Sequence, residues 1–265
     1  MEKQVIRLIQ LSDMHIFGDE NSKLLGVNTR ESFQAILNLV KQEYDKIDAF
    51  ILSGDLSQDG SAIAYQHIAE VLNPFATPIY WVPGNHDDAN VMSQVYPLHL
   101  VRNEKHILFN QWQIILLNSQ KPGAVEGYLD DEQLDYLQQC LQNYPKHRAL
   151  IFFHHHPLSV GCDWLEPIGL TNAKDFWSII EKYSQVKSVF FGHVHQLFEA
   201  QVKNIPCFSI PSTCFQFKPK QEKFALEKIP PGLRKINLYV DGRLTTEVKR
   251  AAHYIGDFDE KAQGY

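Results

Sequence analysis

Apolar residues recur along the chain in short β-rich runs, each followed by a polar loop and then often by a segment of helical period. Val5–Leu11 predicts the first strand. Asn28-Thr29-Arg30-Glu31 looks like a capping box, with a carboxylate three residues after a cap, and Phe33, Ile36, Leu37 and Val40 then share one helical face. Residues 48–53 predict a second strand, Tyr65, Ile68, Ala69 and Leu72 the next helical face, and residues 78–82 a third strand. Two tightly joined strands are expected at 106–110 and 112–118, a helix through Leu134, Leu137 and Leu141, and a strand at 148–153. Phe176, Ile179, Ile180 and Tyr183 give the last helical face before a strand at 187–191.

Beyond that point the helical period stops. Residues 196–202, 205–210, 233–240 and 243–249 read as strands, the last two joined by the hairpin dipeptide Asp241-Gly242. Five prolines between 203 and 232 mark a loop-rich stretch. βα units followed by a β-rich end predict an α/β protein with mixed sheets. The expected organisation is a single domain over 1–265, with a chemistry-bearing region at 5–211 and a β-rich extension at 212–265.

Composition narrows the partners. A chain of 265 residues with 44% hydrophobic and 21% charged side chains is ordinary for a globular protein. With 25 Lys and Arg against 31 Asp and Glu, the net charge of -6 argues against a nucleic-acid polymer as partner. No apolar run approaches the ~18 residues of a membrane span. Met1-Glu2-Lys3-Gln4 lacks the apolar stretch of a signal peptide. Cys140, Cys162, Cys207 and Cys214 show no C-x-x-C spacing, so the expectation is a soluble cytoplasmic protein with free thiols. Oligomeric state is not legible.

Histidine is the unusual residue, with 12 copies unevenly spread. Seven of them fall in five polar clusters, each placed directly after an expected strand: Asp13-Met14-His15, Gly54-Asp55, Gly84-Asn85-His86-Asp87, His154-His155-His156-Pro157 and Gly192-His193-Val194-His195. Ligand sites of α/β sheets lie at the carboxyl ends of strands. Taken singly, each cluster reads as a capped turn or a solvated loop. Together they offer carboxylates, an amide oxygen and imidazoles, a thiolate-free donor set that suits zinc, iron, manganese or nickel. His67, His99, His106, His147 and His253 stand outside the set and read as ordinary surface or core residues.

The order D-x-H, G-D, G-N-H-D, H-x-P, G-H-x-H resembles the calcineurin-like metallophosphoesterase superfamily over residues 13–195. Within it, His154-His155-His156-Pro157, Gly161-Cys162-Asp163-Trp164-Leu165, Pro211-Ser212-Thr213-Cys214 and Leu244-Thr245-Thr246-Glu247-Val248 resemble the bacterial class III 3′,5′-cyclic-AMP phosphodiesterases. The resemblance implies a four-layered α/β/β/α sandwich of two mixed sheets, with a binuclear metal site at the strand ends. It implies that Asp13, His15 and His195 hold one ion, that Asn85, His155 and His193 hold the other, and that Asp55 bridges them. The ligand of the triple histidine lies, by family spacing, two residues before the proline, which selects His155 over His154 and His156. His86 is the expected general acid or phosphate contact, with Asn85, His15 and His195 also facing substrate. Asp59 and Asp87 are both candidates to orient the His86 ring.

The ions are expected to be two divalent or transition metals, iron, manganese or zinc. Their charges, less those of Asp13, Asp55 and a bridging hydroxide, leave about one positive charge, which matches a phosphodiester monoanion. The expected activity is hydrolysis of 3′,5′-cAMP to 5′-AMP by that hydroxide. The alternative is a broader phosphodiesterase acting on glycerophosphodiesters or 2′,3′-cyclic nucleotides. Protein phosphatases usually carry Asp-Arg-Gly after the second motif, where this chain reads Gly54-Asp55-Leu56-Ser57. A scaffold that had lost catalysis should lack ligands, and none is missing.

Overall fold

The chain forms two six-stranded mixed sheets, as the two kinds of apolar periodicity require. The computed structural model describes residues 5–259, 262 and 264; the reading of Met1 to Gln4 lies outside them. In chain order the elements are β1 (Val5–Leu11), α1 (Thr29–Glu43), β2 (Ala49–Ser53), α2 (Ala62–Leu72), β3 (Ile79–Val82), α3 (Ala89–Val95) and β4 (Val101–Arg102). Then come β5 (His106–Phe109), β6 (Trp112–Leu116), α4 (Asp131–Asn143), β7 (Arg148–Phe152), α5 (Ala173–Ile180), β8 (Val186–Phe191), β9 (Glu199–Val202) and β10 (Ile205–Ser209). The chain returns to the first sheet with β11 (Gly232–Tyr239) and β12 (Leu244–Arg250). The first sheet runs β12-β11-β1-β2-β3-β4 and the second β9-β10-β8-β7-β6-β5. β1 to β4 are mutually parallel, as are β6, β7, β8 and β10, while β5, β9, β11 and β12 pair antiparallel with their neighbours.

Side-chain alternation along the strands divides the core into three layers. On β1, Leu8 faces the other sheet and Ile9 and Leu11 face helices; on β7, Leu150 and Phe152 face the other sheet and Ile151 faces helices. One layer seals α1, α2 and α3 to the first sheet, a second seals α4 and α5 to the second sheet, and a third lies between the sheets. That is the expected α/β/β/α arrangement. Because both sheets point parallel strands the same way into one edge of the sandwich, the loops after β1, β2, β3, β7 and β8 meet there.

Local differences from the sequence reading have local causes. The strand expected to 118 ends at Leu116, and Asn118 instead caps a turn by accepting the Gln120 N–H. The strand expected from 196 starts at Glu199, because the Ser209 hydroxyl takes the place of a ladder partner at Gln196 and Phe198. α5 stops at Ile180, so Tyr183 packs from a turn. Asn28 does cap α1, accepting the Arg30 and Glu31 N–H groups. α3 was not expected: only Met92 of its seven residues is buried, too little for a periodic signal. Among the described residues all four cysteines are free and buried, and no helix is long and apolar enough to cross a membrane.

Arg234 of β11 ties the sheets together across their seam. Its fully buried guanidinium donates to Ser209 O of β10 at 2.8 Å, to Thr246 Oγ1 at 3.0 Å and to Glu199 Oε1 of β9 at 3.0 Å. Arg234→Met keeps most of the volume and loses all three bonds, leaving the Ser209 carbonyl without its donor. It should cost about 1–3 kcal/mol, read as a lowered urea midpoint at unchanged m-value; an unchanged midpoint would show that the tie is not needed.

Candidate metal centre

Every chemical cluster singled out in the sequence arrives at the same edge of the sandwich. Asp13 and His15 follow β1, Asp55 follows β2, Asn85 and His86 follow β3, the triple histidine follows β7, and His193 and His195 follow β8. Asp13, His15, Asp55, His193 and His195 all have positive φ, between 46° and 69°. Non-glycine residues avoid this region, and such strain collects where a site needs it. Two motif glycines are explained by contact. A Cβ on Gly54 (φ +95°) would stand 2.3 Å from His154 Nδ1, and one on Gly84 would stand 2.2 Å from Asp55 Oδ1.

The donor atoms form two sets that share Asp55. In the first, His15 Nε2 lies 3.2 Å from His195 Nε2 and 3.8 Å from Asp55 Oδ2, and His195 Nε2 lies 3.3 Å from Asp13 Oδ1. In the second, His154 Nε2 lies 3.2 Å from Asp55 Oδ2, 3.2 Å from Asn85 Oδ1 and 3.2 Å from His193 Nδ1. Asp13 and Asp55 are themselves aimed by main chain, accepting the His193 N–H (3.0 Å) and the His86 N–H (2.9 Å) respectively.

Outer hydrogen bonds decide which ring nitrogen faces inward. The Nδ1–H of His15 donates to Gln58 Oε1 (2.6 Å), that of His195 to Phe215 O (3.0 Å) and that of His154 to Ser53 O (2.8 Å). Each ring therefore turns Nε2 into the centre. On His154 burial is outweighed by the charges of Asp55 and Asp13, which push the ring up to about 9, so its Nε2 holds a proton that a cation would replace. Two bare nitrogens 3.2 Å apart, with two carboxylates beside them, repel unless cations lie between. These residues fit a pair of metal ions. Burial would raise the Asp55 carboxyl, but the charges of His154 and His86 outweigh it and hold it well below the ordinary range. Burial drives His15 down to about 3 and His193 well below the usual imidazole range, so both stay neutral.

The triple histidine departs from expectation. His155 was expected to be the ligand; one of its nitrogens lies within 4.8 Å of donors on His154 and His193, but its Nδ1 meets Ser119 Oγ at 2.8 Å and its Nε2 meets Val125 O at 3.1 Å. His154 is the histidine whose nitrogen enters the second donor set. Strand parity is the reason, since Phe152 faces the opposing sheet, Phe153 the helices, and His154 the opposing sheet again. His156 is buried with its ring stacked on His193 at 5.7 Å. His86 is half-buried at the rim, edge-on to His15 at 5.0 Å.

Both carboxylates considered for His86 also hold site loops together. Asp87 accepts the Gly84, Leu56 and Ser57 N–H groups and the Tyr65 hydroxyl, stitching two site loops together; burial and the Asp55 charge push it up to about 7. Asp59 accepts the Gly18 and Ser61 N–H groups and the Ser57 hydroxyl. The sequence reading missed Gln58, Ser119, Phe215 and Phe217, whose roles depend on tertiary placement. Cys214 was also missed. Its sulfur is near His15 and His195, yet burial pushes the thiol up, and it approaches Asp13 O at 3.3 Å as a neutral donor.

The calcineurin-like phosphoesterase family model matches residues 6–197. A 3′,5′-cyclic adenosine monophosphate phosphodiesterase CpdA of Vibrio vulnificus is 40% identical over 261 residues, covering 97% of this chain and 95% of that protein. The CpdA of Escherichia coli K12 is 39% identical, covering 98% of this chain and 95% of its own. A 3′,5′-cyclic-nucleotide phosphodiesterase of Nostoc is 37% identical, covering 95% of each. Among solved structures, a dimetal phosphatase from Danio rerio superposes with a TM-score of 0.74 at 14% identity, over 94% of this chain and 97% of that one, which shows the shared fold.

Proposed function

The chain belongs to the calcineurin-like phosphoesterase family, and from that premise we propose that it is a cytoplasmic enzyme hydrolysing 3′,5′-cAMP to 5′-AMP. The observation that carries the reading is the pair of donor sets meeting on Asp55. Residues 1–265 are taken as one domain, a reading supported by β11 and β12, which complete the first sheet from beyond residue 211. Divalent ions held there, manganese, iron or zinc by the mixed nitrogen and oxygen donors, would supply Lewis-acid polarisation of the phosphoryl oxygens and a lowered water pKa.

The residues take the following roles in this reading. Asp13, His15 and His195 would hold one ion, Asn85, His154 and His193 the other, and Asp55 would serve both. His154 thus replaces the expected His155, whose bonds to Ser119 and Val125 make it a support for the loop. Asn85 contributes a neutral oxygen, so the two carboxylates leave the loaded centre net positive toward an anionic diester. Water attacks phosphorus and loses a proton to solvent, the P–O3′ bond breaks, and a His86 ring proton passes to the ribose O3′, to be regained from solvent. A rim position beside His15 and Asp55 suits that transfer. His15, His195, Asn85 and His86 together line the face that meets the phosphate.

Comparing kcat/KM on cAMP, cGMP, a 2′,3′-cyclic nucleotide and a glycerophosphodiester tests the substrate. cAMP should lead by about tenfold or more, a ~1.4 kcal/mol difference in transition-state binding; comparable values would install the broader phosphodiesterase instead.

Metal content separates the histidines. His154→Ala should lose close to one ion per chain from the manganese-reconstituted enzyme, Asp55→Ala should lose both, and His155→Ala should retain them. The reverse order at 154 and 155 would restore the family spacing.

His86→Ala should keep its metal and lose about 10²–10⁴-fold in kcat on cAMP. The loss should shrink on bis(p-nitrophenyl) phosphate, whose leaving group departs unprotonated. An equal loss on both would make His86 a phosphate contact rather than an acid.

A further inference from the structure

A cavity of about 800 Å³ lies apart from the donor atoms of the metal centre, none of which lines it. It opens between the end of β3, helix α3, the end of β6 and one face of α4, and its floor is Lys105, in the connection between β4 and β5. The Lys105 ammonium donates to Trp81 O at 2.5 Å and stands 3.2 Å from the centre of the Trp81 ring. Burial pushes the amine down to about 7, and among the described residues no carboxylate forms an ion pair with it. A desolvated amine with further N–H donors and no counter-charge is a place where an oxyanion gains a charge-assisted bond. Tyr136 offers an aromatic wall, and Gln139, Glu132 and Asp135 form an exposed polar rim suited to hydroxyl and amino donors. The volume lies in the range of small-molecule sites, roughly 300–1,000 Å³.

We infer that this cavity is a second binding site, for a small phosphomonoester whose phosphate is held by Lys105. The phosphate can come as the inorganic ion or on a nucleoside monophosphate, and the cavity, much larger than phosphate, favours the latter. The site stands apart from the reaction proposed above, because nothing in it depends on which diester is cleaved.

Calorimetric titration of the metal-loaded protein with 5′-AMP, and separately with inorganic phosphate, tests the inference. Wild type should show a saturable event that weakens at least about tenfold in Lys105→Met, the loss of one charge-assisted anchor. Hydrolysis of bis(p-nitrophenyl) phosphate should meanwhile stay within about twofold, since Lys105 touches no donor of the metal centre. Glu132→Gln with Asp135→Asn, both exposed, should tighten the same event by removing like charge from the rim. Tighter binding of 5′-AMP than of phosphate assigns the site to a nucleotide, and equal binding assigns it to the ion. Binding of both probes unaltered by Lys105→Met, or no saturable event that the rim variant shifts, would overturn the site.

Discussion

Sharing one carboxylate between two donor sets is the constraint on which the rest of the architecture depends. Asp55 Oδ2 must lie within reach of His15 from its own sheet and of His154 from the opposing one. The distance between those histidines is set by the layer of side chains that holds the sheets face to face, Leu8, Ile51, Leu150, Phe152 and Phe190 among them. A thinner or thicker inter-sheet core would move whole donor sets, not single atoms. The close packing of protein interiors is what makes such a distance reproducible. Arg234 serves the same end at the far side of the seam, where a hydrogen-bonded cation joins β11 to β9 and β10.

The site is bought with backbone strain. Five of the eleven non-glycine residues in the left-handed region among the described residues belong to the site, at a cost on the order of 1–3 kcal/mol each, and all five carry donor atoms. What holds them is a network of main-chain bonds: Asp13 N–H to Gly54 O, His15 N–H to Asp55 O, and Gly192 N–H to His154 O. Asp87 and Gln120 add to it, the first accepting from the loops at 56–57 and 84, the second donating to Gly84 O and Asp87 O. Strain of this size persists because the loops are over-determined from both sheets.

The fold was legible because its strands announce themselves twice, by apolar runs and by the chemical cluster that follows each of the five central ones. The layers followed from the same alternation. What stayed hidden depends on tertiary contact: α3 buries only Met92, β4 is two residues long, and Cys214, Ser119 and Gln58 approach the centre from distant points in the sequence. The choice between His154 and His155 was within reach of the sequence. Counting back from Pro157 ignores which way a strand side chain points, whereas parity from Phe152, an inter-sheet residue, turns His154 toward Asp55.

Parity delivers a ring to the site, but the second nitrogen decides what the ring does there. His154, His15 and His195 each spend Nδ1–H on an oxygen outside the centre, and two of those oxygens are main-chain carbonyls that can only accept. Their Nε2 atoms are thereby aimed inward before any cation arrives, and on His154, where burial is outweighed by the charges of Asp55 and Asp13, loading replaces the Nε2 proton. His155 has the opposite arrangement, because a carbonyl faces its Nε2 and the Ser119 hydroxyl its Nδ1. Two neighbouring histidines in one sequence run are thus given different chemistry by parity and by their partners. The aromatic rings of Phe215 and Phe217, the latter stacked on His195 at 4.3 Å, complete this by closing the outer side of that imidazole with apolar surface. Water is kept from competing for its Nδ1–H, and the tautomer that points Nε2 inward is the one the fold retains.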